Sequence, residues 1–222
     1  MLQAIFYTCS ALAVSAFVMA AASERRGRRR YRSSLPFTRP AESQQLEHMV
    51  CDPHEAAELF QQIQRDMART FGFLPTSSIS AKLAPHWEID RKMGAPLGIG
   101  FFLGLCSVEE EQITIYVARG LPKPLFYAVL AHEYAHVWQR MEGMCRRDFE
   151  KTEGFAEWVS FVLTGKAGFK TDELFDRTTW DPYGTGMRRF KAFQDLYGTR
   201  GAVEVARQHG SPFRLMRGNY GA

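Results

Sequence analysis

The feature that most constrains this chain is a pair of histidines, His132 and His136, set four residues apart in an apolar run that reads LFYAVLAHEYAHVWQRMEG. Pro124 suits the first turn of a helix and Gly143 suits its end, so the pattern predicts a helix over about 124–142. Side chains at i and i+4 stand one turn apart on the same face. Both imidazoles can then reach one ion about 2.1 Å away, with Glu133 projecting beside them. A carboxylate so placed can take a proton from a metal-activated water and pass it to a leaving amine. The five-residue pattern also occurs in ordinary helices, so its weight rests on what the rest of the sequence supplies.

A third ligand is required, and spacing decides where to look. Metzincins place Gly three and His six residues after the second histidine, where this chain has Gln139 and Glu142. Proteases of the SprT kind use a third histidine soon after the motif, but the next histidine here is His209. Downstream, KTEGFAEWVSFVL offers Glu153 and Glu157 one turn apart on a segment expected to be helical over about 152–164. Phe155, Ala156, Trp158, Val159 and Phe161 imply that this helix is largely buried, and buried carboxylates need partners. Glu153 is therefore assigned as the third metal ligand. Glu157, one turn on, is placed to hydrogen-bond a ligand histidine and fix its tautomer. Two histidines and a downstream glutamate form the gluzincin arrangement of zinc (Zn2+) metallopeptidases. The expected fold class is α+β, mostly helical with a small sheet, and the expected reaction is metal-assisted amide hydrolysis.

The rest of the chain divides into three parts. Leu2 to Ala22 is uncharged and long enough to cross about 30 Å of hydrocarbon. Arg25, Arg26, Arg28, Arg29, Arg30 and Arg32 follow it. Residues 1–23 are thus a candidate single-pass anchor, whose trailing positive charge favours a cytoplasmic catalytic domain. The run Ala20, Ala21, Ala22, Ser23 leaves open a cleaved signal and a secreted or periplasmic product. Residues 24–50 form an Arg-, Ser- and Pro-containing linker, and residues 51–222 form one domain. The formal net charge of +4 is concentrated in the arginine run, a solvated flank rather than a nucleic-acid surface. Cys9, Cys51, Cys106 and Cys145 lack CxxC spacing and suggest reduced, mostly buried thiols.

Within the domain, Asp52 is a candidate N-cap, Pro53 fits the first helical position and Glu55 completes a capping-box spacing. Leu59, Phe60, Ile63, Met67 and Phe71 fall on one helical face, and Gly72 is placed to end it. His54 is expected to face solvent. Residues 73–111 suggest irregular loops with short strands. Gln112 to Ala118 alternates as a half-buried strand whose edge could receive an extended peptide. Trp138, Phe126 and Phe190 are expected in the core.

Several ordered segments resemble the DA-one family, the ubiquitin-activated peptidases that limit organ size in plants, and their bacterial relatives. They are Gly104-Leu105-Cys106 with Glu109 and Glu110, the strand from Ile113, Gly120-Leu121-Pro122, Ala131-His132-Glu133 and Glu153-Gly154. Tyr183-Gly184-Thr185-Gly186-Met187-Arg188, Tyr197-Gly198 and a helix to His209-Gly210 extend the likeness over about residues 100–215. The resemblance implies a zinc-dependent endopeptidase acting on a protein or peptide. Neither a LIM domain nor ubiquitin-interacting motifs occur in these 222 residues, so ubiquitin activation is not expected.

Such peptidases also stabilise the oxyanion with a Tyr or His after the third ligand. Tyr183 is the candidate, although it could equally pack a turn, and His209 suits a helix end. Arg188 could bind a substrate carboxylate or pair with a carboxylate of the core. The rival to catalysis is a silent, metal-stabilised peptide- or protein-binding module tethered to a membrane; the intact Glu133 speaks against it.

Overall fold

A computed structural model describes residues 49–75, 77–94, 102–109, 112–144, 148–175 and 182–208. The candidate anchor and the linker up to residue 48 lie outside them, as do Cys145, Glu110 and His209. Among the described residues, no helix is long and apolar enough to cross a membrane. The chain is α+β and mostly helical. In order it forms β1 (Met49–Val50), α1 (Pro53–Phe71), β2 (Ile79–Ala84), α2 (His86–Lys92), β3 (Gly104–Glu109) and β4 (Gln112–Ala118). There follow β5 (Leu121–Pro122), α3 (Lys123–Met141), α4 (Phe149–Lys166), α5 (Asp172–Phe175) and α6 (Pro182–Arg207).

Local chemistry explains where α1 begins and ends. The Asp52 carboxylate accepts from the His54 backbone N–H at 3.0 Å, satisfying one donor that the first turn leaves open. Gly72 adopts φ 69°, a left-handed cap that side-chain-bearing residues resist. Between them Leu59, Phe60, Ile63, Met67 and Phe71 are buried, and His54 is exposed. Ordered pairing starts two residues ahead of Cys51, where β1 lies antiparallel to β5. Of the two cysteines described, Cys106 is buried, but Cys51 is exposed just before the Asp52 cap.

The main sheet has the order β2-β4-β3, with β2 parallel and β3 antiparallel to β4. This corrects two expectations about Gln112–Ala118. It is the central strand, hydrogen-bonded on both sides, and has no edge to offer a peptide. It is also buried on both faces rather than half-buried. Its polar positions are covered locally: the Lys92 ammonium of α2 lies 4.7 Å from the Tyr116 ring centroid, and the Thr114 hydroxyl meets that of Ser80 at 3.2 Å.

Helix α3 packs on β3 and β4 and, on another side, against α4, which in turn packs on α6. Ser160 on α4 donates to the Ala128 carbonyl on α3 at 2.7 Å. Trp138 stacks on Phe155 with centroids 4.8 Å apart, Phe190 meets Phe155 edge-on, and Trp158 donates to Gln194 at 2.9 Å. Trp138, Phe126 and Phe190 are all core residues.

The α4–α6 crossing is unusually close, and glycine is the reason. A β-carbon on Gly154 would lie 2.3 Å from the Gly186 Cα, and one on Gly186 would lie 2.3 Å from the Glu150 carbonyl oxygen. Backbone meets backbone there, so a segment as glycine-rich as Pro182–Gly186 is helical through packing rather than propensity. Gly198 then breaks α6 with φ 70° and ψ 175°.

Candidate metal centre

Helix α3 delivers His132 and Glu133 and, one turn on, His136, and α4 delivers Glu153 and Glu157 from the facing helix. The His132 and His136 Nε2 atoms are 3.1 Å apart. Glu153 Oε2 lies 3.4 Å from the first and 3.5 Å from the second. Glu153 is fully buried and neither of its oxygens makes a hydrogen bond. Three donor atoms therefore converge on one point in a nearly equilateral triangle.

The outer nitrogens determine what these donors carry. His132 Nδ1 lies 3.0 Å from Glu157 Oε2. A carboxylate can only accept, so Nδ1 carries a proton, and in the neutral ring Nε2 is left as a lone pair. His136 Nδ1 lies 2.8 Å from Gln139 Oε1, and the Gln139 amide nitrogen donates to the Thr152 carbonyl at 2.7 Å. That second bond fixes which end of the amide faces the imidazole, so His136 Nδ1–H is the donor and, in the neutral ring, its Nε2 is bare as well.

With both rings neutral, two lone pairs and a carboxylate oxygen face one another in a largely buried site, an arrangement that repels itself unless something positive sits between. A proton is one solution. Burial alone would lower the His132 pKa, but the approach of Glu153 and the bond to Glu157 raise it to about 10. Burial would lower His136 as well, and Glu153 raises it. Burial would raise Glu153, yet the charge on His136 and the closeness of His132 hold it down to about 2.

A cation is the other solution, and His132, His136 and Glu153 together could hold a metal ion. Tetrahedral ligands with bonds of about 2.1 Å are about 3.4 Å apart, close to the separations seen here. The donor set and its spacing fit a metal.

Glu133 is only 2% exposed and lies close enough for its charge to raise the pKa of His136. Of the residues singled out from sequence, the fold thus brings together His132, Glu133, His136, Glu153 and Glu157. The Tyr183 side chain lies outside what the structure describes. Arg188 is exposed and donates to the Thr185 hydroxyl at 3.3 Å. Its neighbour Arg189 pairs with Glu150 of α4 at 2.7 Å. Gln139 was not among the residues expected at the site. One signal for it is present in the sequence: an amide three residues after His136, on the same side of the predicted helix.

Comparison of the chain with protein-family models, with curated proteins and with solved structures finds no match.

Proposed function

We propose that this chain is a zinc-dependent peptidase of the gluzincin type that hydrolyses peptide bonds in a protein or peptide substrate. One observation carries the reading: two imidazole Nε2 atoms and a buried carboxylate oxygen form a triangle of 3.1, 3.4 and 3.5 Å beside Glu133. Two histidines and a carboxylate with an open fourth position are a ligand set of catalytic zinc. The likeness of several ordered segments to DA-one peptidases supports the same reading.

His132, His136 and Glu153 would hold the ion. Bound zinc supplies a Lewis acid that polarises the scissile carbonyl and acidifies a water. Glu133 accepts the proton of the attacking water and returns it to the departing amine nitrogen, serving as base and then acid. Glu157 and Gln139 keep the two imidazoles in the tautomer that presents Nε2 inward. Tyr183 is our candidate for stabilising the oxyanion. An extended substrate would add along β3, which pairs only with β4 among the described residues. The segment 2–22 would anchor the protein in a membrane with the catalytic domain on the cytoplasmic side.

The test is to purify the full chain in mild detergent, measure its metal content, and incubate it with casein and a mixed peptide library. Zinc at one equivalent, with cleavage lost on chelation and restored by zinc, is expected. Zinc without cleavage of any substrate would favour a binding module, and iron in place of zinc would point to other chemistry.

A further inference from the structure

The sheet approaches the centre at the start of β3. Gly104, the first residue of β3, is buried against α3. A β-carbon built on it would lie 2.7 Å from Val129 Cγ1, 2.8 Å from Glu133 Cγ and 2.9 Å from Glu133 Oε1. Real β-carbons essentially never approach heavy atoms that closely. Gly104 is not among the glycines with positive φ, so its backbone conformation does not call for glycine. Space does, and Glu133 supplies two of the three contacts. Two residues further along β3, the Cys106 thiol also lies within reach of the Glu133 charge.

We infer that Gly104 is a positioning residue for Glu133: its missing side chain lets β3 close onto α3 while the carboxylate keeps its place beside the imidazoles. A methyl group there must push Glu133 aside, because the alternative is to move the backbone of β3 or the packed Val129. The three atoms nearest such a methyl group belong to Val129 and Glu133 and none to His132, His136 or Glu153, so an alanine at this position should separate proton transfer from metal binding. The catalytic part of this inference rests on Glu133 serving as the proton-transfer group. The contact itself does not.

Two arms test it on the full chain. Kinetically, Gly104→Ala should keep zinc at the wild-type stoichiometry and change KM little while lowering kcat by about 10- to 100-fold, the range expected when a reacting group is displaced by about 1 Å. Val129→Ala alone should stay near wild type. Gly104→Ala/Val129→Ala, which relieves the Val129 clash and secures folding, should remain slow. Full kcat in Gly104→Ala, or recovery in the double variant, would overturn the inference.

The second arm is a stability cycle that requires no catalysis. Gly104→Ala should lower Tm, and this loss should shrink in a Glu133→Ala background, where Cγ and Oε1 are gone. An equal loss in both backgrounds would overturn the contact. If the wild type hydrolyses nothing but the cycle shows coupling, the peptidase reading fails and the seat for Glu133 stands.

Discussion

The Gln139 amide donates to the Thr152 carbonyl at 2.7 Å and so ties the helix bearing both histidines to the helix bearing Glu153, one residue beyond Thr152. Its oxygen meanwhile holds His136 Nδ1 at 2.8 Å. One side chain therefore sets both the ring orientation of His136 and the spacing between the two helices. Gln139→Leu should weaken zinc affinity by about 10- to 100-fold with the fold retained, the usual effect of losing such a partner. Gln139→Glu can still accept from Nδ1–H but cannot donate to Thr152, and it should fall between. Competition with a chromophoric chelator reads both; wild-type affinity in Gln139→Leu would contradict the bridge.

Glu153 and Glu157 differ in what they face. Glu153 Oε2 points at both Nε2 atoms, whereas Glu157 reaches only the outer nitrogen of His132. Glu153→Ala should lose stoichiometric zinc, and Glu157→Ala should bind it more weakly. Metal analysis after dialysis distinguishes them, and the reverse order would exchange their roles.

The metal-free protein should show the proton that takes the cation's place. His132 titrates at about 10 when folded against 6.5 ordinarily, so its contribution to stability is full below pH 6.5 and is lost as pH rises toward 10. Glu153, held down to about 2 from 4.5, contributes above pH 4.5 and loses that contribution as pH falls toward 2. Thermal unfolding of the chelated protein should therefore weaken on both sides of about pH 5–6. At pH 7 zinc must displace the His132 proton, so calorimetric binding enthalpies should vary with the buffer's ionisation enthalpy. No buffer dependence would contradict this protonation state.

Two glycines of α4 should respond to alanine with opposite signs. Gly154→Ala pushes a β-carbon onto Gly186 and should destabilise by about 1–3 kcal/mol or more, as overpacking does. Gly165 has only Thr171 Cγ2 nearby, at 3.6 Å, so Gly165→Ala should stabilise by about 0.5–1 kcal/mol. Urea denaturation measures both, and a neutral Gly154→Ala would contradict the close crossing.

These contrasts show which parts of the structure could be read from the sequence. Helix α1 was legible because its signals are local: Asp52 and Pro53 start it, one apolar face runs through it and Gly72 stops it. The helices α3 and α4 were legible for the same reason, and so was the strand character of Gln112–Ala118. What that strand pairs with was not. Its parallel neighbour β2 is joined to it by Ser80 and Thr114, separated by 34 positions, and the alternation of Thr114 and Tyr116 does not reveal that Ser80 and Lys92 cover them. The short helix α2 lies in the region expected to hold only loops and strands, and it has no side-chain cap to announce it. At the centre, side-chain spacing suggested five residues to consider together. Gln139 and Gly104 were missed because their roles depend on helices and strands meeting, which no local pattern encodes.

Whether Glu133 moves the proton is tested most directly by hydrolysis with Glu133→Gln at full zinc occupancy. The amide keeps the shape of the carboxylate but cannot accept the proton of water at neutral pH. Wild-type zinc content, near wild-type stability, and a fall in kcat of at least about 100-fold are expected, within the range for loss of a general base. Unchanged turnover by zinc-loaded Glu133→Gln would contradict that role.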